Sequence, residues 1–188
     1  MESLSRLFGS PARLRLLRLF LFNPASALTL EEVAARTRLL PVGAKSSVVE
    51  LAAIGLLRKK VGKPLRYQIN PRYEHLAALE SFIRQTTNVR PSDIIAALKK
   101  GGALRLVLLS GLFTGAMESQ VDLLIVGDQL SDRALGQAIR SLEAELGREI
   151  RYAAFPTRDF RYRMGVYDRL LRDIFDYPHQ VLLDKIGV

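Results

Sequence analysis

Net positive charge is confined to one half of this chain, and that confinement limits what it can fold into more than any single motif does. Residues 1–90 carry 15 Lys and Arg against 6 Asp and Glu, whereas residues 91–188 carry 13 of each sign. A break of this kind divides 188 residues into two units with different partners. The balance of 48% hydrophobic and 25% charged residues is that of a globular protein and speaks against wholesale disorder. The absence of cysteine excludes disulfide frameworks, thiolate zinc sites and thiol nucleophiles. His75 and His179 are too far apart in sequence to point to a histidine-rich metal site or a Ser-His-Asp triad. The apolar stretch 14–21 contains Arg15 and Arg18 and stops at Asn23-Pro24, too short and too charged to span a bilayer. Met1-Glu2 does not open a signal peptide. A cytoplasmic protein with no membrane partner is expected.

The basic half begins with helical periodicity. Ser10-Pro11 reads as an N-cap followed by proline at the first helical position. Leu14, Leu17, Phe20 and Leu21 then form one apolar stripe, with Arg13, Arg15 and Arg18 mostly off it. Thr29-Leu30-Glu31-Glu32 is a capping box: the Thr29 hydroxyl accepts from the Glu32 amide, and the Glu32 side chain reaches back. The short helix it opens runs to about Arg36, and a turn through 38–43 leads to a third helix over 44–54, closed by Gly55. Val48, Leu51 and Ile54 face inward there, leaving Lys45, Ser46, Val49 and Glu50 outside. Two short apolar–polar runs around Val61-Gly62-Lys63-Pro64 predict a β-hairpin. Residues 71–85 then place Tyr73, Leu76, Leu79, Phe82 and Ile83 at helical spacing, for packing on this domain or for dimerisation. The linker of the chain is 86–92, at the charge break.

The stretches LFGSPARLRLLRLFLFNP, LTLEEVAARTRL and VVELAAIGLLRKKVGKPLRYQINP together resemble a winged helix-turn-helix of the arsenic-repressor type, over about residues 4–72. The resemblance implies a third helix in the major groove of double-stranded DNA, with a hairpin wing on an adjacent groove or on phosphates. The residues it assigns to DNA are Arg38, Lys45, Ser46, Ser47 and Val49, and on the wing Arg58, Lys59, Lys60, Lys63 and Arg66. Ser46 and Ser47 are small enough for close backbone approach, and Lys45 reaches a phosphate or a guanine edge. The wing cations would supply most of the affinity by counterion release. Glu50 on the outer face repels phosphates unless a neighbouring charge pairs with it. The plain alternative is a solvated basic face on a winged helix that binds only protein.

In the neutral half, a helix over 93–100 and Gly101-Gly102 precede three strand candidates, 104–109, 121–126 and 149–154. The first two are continuous apolar runs of the buried-strand kind. An amphipathic helix over 132–146 lies between the second and third, with Leu135, Ile139, Leu142 and Leu146 on one face. That order predicts a small α/β sheet, and for the whole chain an α/β class, as a two-domain α+β protein.

The segment LSGLFTGAMESQVDLLIVGD, 109–128, resembles the core of the minimal nucleotidyltransferase fold. Active members follow a Gly-Ser turn with a Ser-Asp-x-Asp run into an apolar strand. The resemblance implies two carboxylates on one strand face, with a third from a neighbouring strand, holding magnesium ions that bridge a triphosphate. Alternate spacing is needed because i and i+2 point to the same side of a strand. Here Ser119-Gln120-Val121-Asp122 keeps the second acid as Asp122 and has Gln120 in place of the first. Ser110-Gly111 reverses the turn, and no arginine follows in the loop. Glu149 is the candidate third acid, and Arg151 on its face brings positive charge. Asp122 is accordingly vestigial, with no catalytic or metal residue assigned, and Ser110, Gly111 and Asp122 remain as a ligand-binding set. Gly127-Asp128 reads as a strand-to-helix turn with a cap, not a phosphate loop.

The tail 148–186 also resembles the end of bacterial proteins that join a winged helix to such a domain. Arg161, Tyr162 and Arg163 with Tyr167 suggest a base-stacking or phosphate pocket. The competing expectation is an amphipathic helix with an Asp168–Arg172 pair and Phe160, Leu170, Leu171 and Ile174 inward. The divisions expected are 1–72 as winged helix-turn-helix, 73–90 as connecting or dimerisation helix and linker, and 91–188 as nucleotidyltransferase-like domain. The expected function is transcription regulation by a DNA-binding homodimer without cofactors. Its second domain is then a pseudoenzyme serving as sensor or assembly module, open to a nucleotide or small-molecule ligand. The alternative is an active nucleotidyltransferase, antitoxin-like or modifying a protein or small molecule, with magnesium and nucleotide as cofactors and the winged helix as targeting device.

Overall fold

Helix starts in the first part of the chain follow from side chains that answer otherwise unpaired amides. The computed structural model describes residues 2–87, 89–116 and 118–188. After α1 (Glu2–Leu7), α2 (Pro11–Leu21) opens on Ser10, whose Oγ accepts from the Arg13 amide at 3.1 Å. α3 (Leu30–Thr37) opens on the complete capping box, with the Thr29 amide donating to the Glu32 carboxylate at 2.7 Å and the Glu32 amide donating to Thr29 Oγ1 at 3.1 Å. α4 (Pro41–Ala53) starts at Pro41 rather than Ala44, because proline needs no N–H partner in a first turn and its φ is already helical. Ile54 is consequently the C-cap of α4 and is exposed, not part of the inward stripe. β1 (Leu57–Lys60) and β2 (Arg66–Ile69) pair antiparallel with Leu57 opposite Ile69. The helix expected over 71–85 forms as α5 (Leu76–Thr86); Tyr73, Leu76 and Leu79 pack on the core of this unit and Ile83 is buried in it.

The chain divides into two compact units, Met1–Val89 with Arg140–Glu149, and Arg90–Ile139 with Ile150–Val188. In the first, Leu16, Phe20, Val33, Val48 and Ile69 are among the centre of the core. Arg18, expected mostly off the stripe, is buried with them at 1% exposure, in keeping with its place four residues after Leu14 and three before Leu21. Its Nε donates to Thr87 Oγ1 at 3.0 Å and its Nη1 to the Glu145 carbonyl at 2.8 Å. Burial pulls the guanidinium pKa below its usual value, and the nearby Glu145 carboxylate works against that shift. Arg15 Nε donates to the same carboxylate at 2.7 Å, and Asn23 Nδ2 donates to the Leu19 and Gly147 carbonyls, both at 2.7 Å.

The second unit is built on a four-stranded mixed sheet in the order β5-β4-β3-β6. Along the chain it runs α6 (Pro91–Leu98), a 3₁₀ turn at 99–101, β3 (Ala103–Leu109) and β4 (Leu123–Asp128). It continues through the part of α7 (Asp132–Leu146) that precedes Arg140, then β5 (Tyr152–Pro156), α8 (Thr157–Gly165), α9 (Arg169–Asp176) and β6 (Gln180–Asp184). β4 and β5 are parallel, with α7 between them in sequence, while β3 pairs antiparallel with β4 and β6. On one face, Leu106, Leu108, Leu124 and Val126 pack with Phe160, Leu171 and Ile174. β4 and the 106–109 part of β3 are apolar and buried on both faces, which is why they read as continuous runs, while Arg105 of β3 is exposed.

Three local expectations are corrected here. The single amphipathic helix is two, α8 and α9, separated where Tyr167 adopts φ 54°. Asp168 does not pair with Arg172. It accepts from the Leu170 amide at 3.0 Å and from Arg163 Nη1 at 2.8 Å, while Arg172 faces Asp176 at 3.9 Å. Asp128 ends β4 beside Arg105 at 2.8 Å, and Ser131 Oγ is the group that accepts from the Ala134 amide, at 3.4 Å.

Gly147 has φ +72°, and a Cβ built there would lie 2.5 Å from the Arg18 carbonyl carbon. Gly147→Ala is therefore expected to lower stability by about 2 kcal/mol or more in urea unfolding. Gly43→Ala in α4, where a Cβ meets nothing within 4 Å, is expected to be neutral or to stabilise by about 0.5 kcal/mol.

Candidate functional site

In the first unit the residues expected at DNA fall into two groups. Lys45, Ser46 and Val49 are exposed along α4, and Ser47 is half-buried beside them. Glu50, the unwelcome carboxylate on this helix, is ion-paired with Arg13 of α2 and accepts from Ser46 Oγ at 3.4 Å. Arg38 stands apart from that face. It caps α3 in a left-handed conformation and donates from Nη1 to Ser141 Oγ at 2.8 Å, so a structural role already engages it.

On the hairpin, Lys59, Lys60 and Lys63 are exposed, in a stretch 57–69 that contains no Asp or Glu. Arg58 Nη2 donates to Gln68 Oε1 at 3.1 Å, a neutral partner that leaves its charge uncompensated. Arg66 is drawn inward, donating to the Ala27 carbonyl at 3.0 Å and lying 3.4 Å from the Glu32 carboxylate. Sequence reasoning missed Val42, which is exposed beside Lys45 on the outer side of α4. The signal was there in its spacing, but placing 38–43 in a turn hid it.

In the second unit the candidate ligand set converges on one carboxylate. Asp122, immediately before β4, is 2% exposed. Its Oδ1 accepts from the Leu112 amide at 2.8 Å and from Arg151 Nη2 at 2.7 Å. Its Oδ2 accepts from the Arg151 amide at 2.8 Å and from Arg151 Nε at 3.0 Å. A carboxylate has about four acceptor positions, and the chain's own donors use them all. Gly111, at φ +48°, gives the passing backbone the room this needs, since a Cβ there would lie 2.2 Å from Asp122 Oδ1. Burial pushes the Asp122 carboxyl up, but the Arg151 fork and the two amides outweigh it and hold the pKa below the ordinary carboxylate range.

Ser110 is buried beside it, its amide donating to the Asp122 carbonyl at 2.9 Å and its Oγ to the Pro178 carbonyl at 3.3 Å, while the Gln120 amide donates to Asp173 at 3.1 Å. Glu149, the expected third acid, belongs to the first unit, where it is exposed and paired with Arg36 at 3.3 Å. Among the described residues no group of three His, Asp or Glu side chains is placed to hold a metal ion. Arg163 is held by Asp168 and lies over the Phe155 ring at 4.9 Å, beside a cavity of about 470 Å³ lined by Arg158, Asp159, Tyr162 and Val166. Tyr167 and Arg161 are exposed outside that lining.

No protein-family model matches the chain, and neither the curated proteins nor the solved structures include one similar to it. Among the described residues no helix is long and apolar enough to cross a membrane.

The Asp122–Arg151 pair makes a stability prediction. A depressed carboxylate pKa contributes stability that is complete above its unfolded value of about 3.9 and is lost as pH falls through the lower folded value. Asp122→Asn sets an amide N–H against guanidinium donors and is expected to cost about 2 kcal/mol at neutral pH. Urea unfolding at a series of pH values should show that cost shrinking below about pH 4, where the wild type loses the same interaction. A cost independent of pH would contradict the assignment.

Proposed function

We propose that the protein is a DNA-binding transcriptional regulator in which Met1–Val89 with Arg140–Glu149 acts as a winged helix-turn-helix. The observation that carries this reading is the hairpin β1–β2. Its exposed Lys59, Lys60 and Lys63, with Arg58 paired only to an amide, form a cationic edge free of carboxylates in its own sequence. Such an edge suits a phosphate backbone, which supplies most of the affinity of DNA binding by releasing counterions. α4 supports the same reading: its outward face presents Lys45 and Ser46 with Val42 and Val49, and its one carboxylate is ion-paired with Arg13. A homodimer on paired half-sites is the assembly proposed, supported by exposed Leu7 on α1 and by Phe82 on α5, which lies 6.2 Å from Phe8.

The second unit is proposed to be a nucleotidyltransferase-like domain without transfer chemistry, serving sensing or assembly in the cytoplasm. The support is Asp122, whose oxygens are occupied by Arg151 and two amides, so that this carboxylate is not open to a metal-bound triphosphate.

Binding of the full chain to random-sequence duplex DNA is expected to weaken steeply as salt rises. Replacing Lys59, Lys60 and Lys63 with Ala should lower the log–log salt slope by about 0.9 per phosphate contact removed, for all sequences alike. An affinity indifferent to salt, or no binding at low salt, would overturn the proposal.

A further inference from the structure

The outward stripe of α4 has a composition that goes beyond electrostatics. Val42, Lys45, Ser46, Val49 and Ala53 follow one another at i, i+3, i+4, i+7 and i+11, so they form one line along the helix. Ala44, Val48 and Leu51 are buried on the opposite side. Val42 is 81% exposed and Val49 49% exposed. The stripe thus reads methyl pair, ammonium, hydroxyl, methyl pair. Glu50 beside it is paired with Arg13 and bonded by Ser46, and Glu31 of α3 lines a cavity together with Val42 and Lys45.

Resting on the DNA-binding reading above, we infer that this stripe reads thymine, with Val42 and Val49 each packing on a C5-methyl group in the major groove. Thymine is the base that presents an apolar group there, and apolar side chains are its complement. The spacing fits. Seven residues at about 1.5 Å rise separate the two valines by about 10 Å, close to three base-pair steps of about 3.4 Å. Lys45 lies between them, suited to a phosphate or to the O6 and N7 of guanine. Charge complementarity selects DNA over an apolar protein partner as the occupant. The same unit carries the lysines of the hairpin, and the whole net charge of +9 resides in residues 1–90.

The test removes only the methyl groups. Duplexes selected by the full chain from a random pool are resynthesised with deoxyuridine at each thymine in turn. Two positions about three base pairs apart are expected to lose about 4-fold in affinity each, the value of one buried methyl or methylene group. Val42→Ala and Val49→Ala should each abolish the thymine-over-uracil preference at one of those positions. The salt slope should stay as in the wild type, because neither side chain touches phosphate. Both positions are exposed, so these variants fold.

If the protein binds with a steep salt slope but treats thymine and uracil duplexes alike, the thymine inference is overturned and the DNA-binding proposal stands. If there is no binding to any duplex at low salt, both are overturned, and the stripe faces a protein instead.

Discussion

An arginine taken out of water must have its donors answered inside the protein, because an unpaired buried charge costs several kcal/mol. Arg18 is in that position in the last turn of α2, and its partners come from two distant places in the chain, the Thr87 hydroxyl and the Glu145 carbonyl. The first unit therefore cannot close on local segments alone. It requires the residue just past α5 and the last turn of α7, which is why Arg140–Glu149 belongs to the same compact unit as Met1–Val89. Gly147 lies against the Arg18 backbone where no side chain fits, and Asn23 and Arg15 add hydrogen bonds to the same short segment. With the buried charge satisfied from that direction, the outer stripe of α4 and the lysines of the hairpin stay exposed.

That arrangement explains which features were legible in the sequence. Caps act within four residues, so Ser10 and the Thr29–Glu32 box could be read directly and form as read. Strands buried on both faces declare themselves as apolar runs, as β4 and the 106–109 part of β3 do, and α7 follows its stripe from Asp132 to Leu146. What stayed hidden depends on distant partners. The spacing of Arg18 from Leu14 and Leu21 puts it among the apolar residues, but nothing local announces Thr87 or Glu145. β6 carries Gln180 and Asp184 at its ends and is half-exposed, so its short apolar centre has no distinctive pattern until it pairs with β3. The α8–α9 break rests on a left-handed Tyr167, a conformation that tyrosine does not advertise.

The candidate site in the second unit was legible as a residue but not as a state. Asp122 and Arg151 were both visible, and the sequence placed positive charge near the acid. The structure adds that the guanidinium binds both carboxylate oxygens while two backbone amides complete the shell. A cation from the chain itself is thus built in at this acid. Glu149, by contrast, pairs with Arg36 within the first unit. Bidentate geometry of this kind depends on side-chain direction, which spacing in a sequence does not reveal.

The reading that unites these features is contact with double-stranded DNA through α4 and the β1–β2 hairpin. Hydrogen exchange of the full chain, with and without a saturating duplex, tests it most directly, because binding slows exchange where the ligand stabilises structure. Contact through the first unit predicts slower exchange over Pro41–Ala53 and 57–69, with β3 and β4 of the second unit unchanged. Slowing confined to β3 and β4, or no slowing anywhere at saturating duplex, would contradict it.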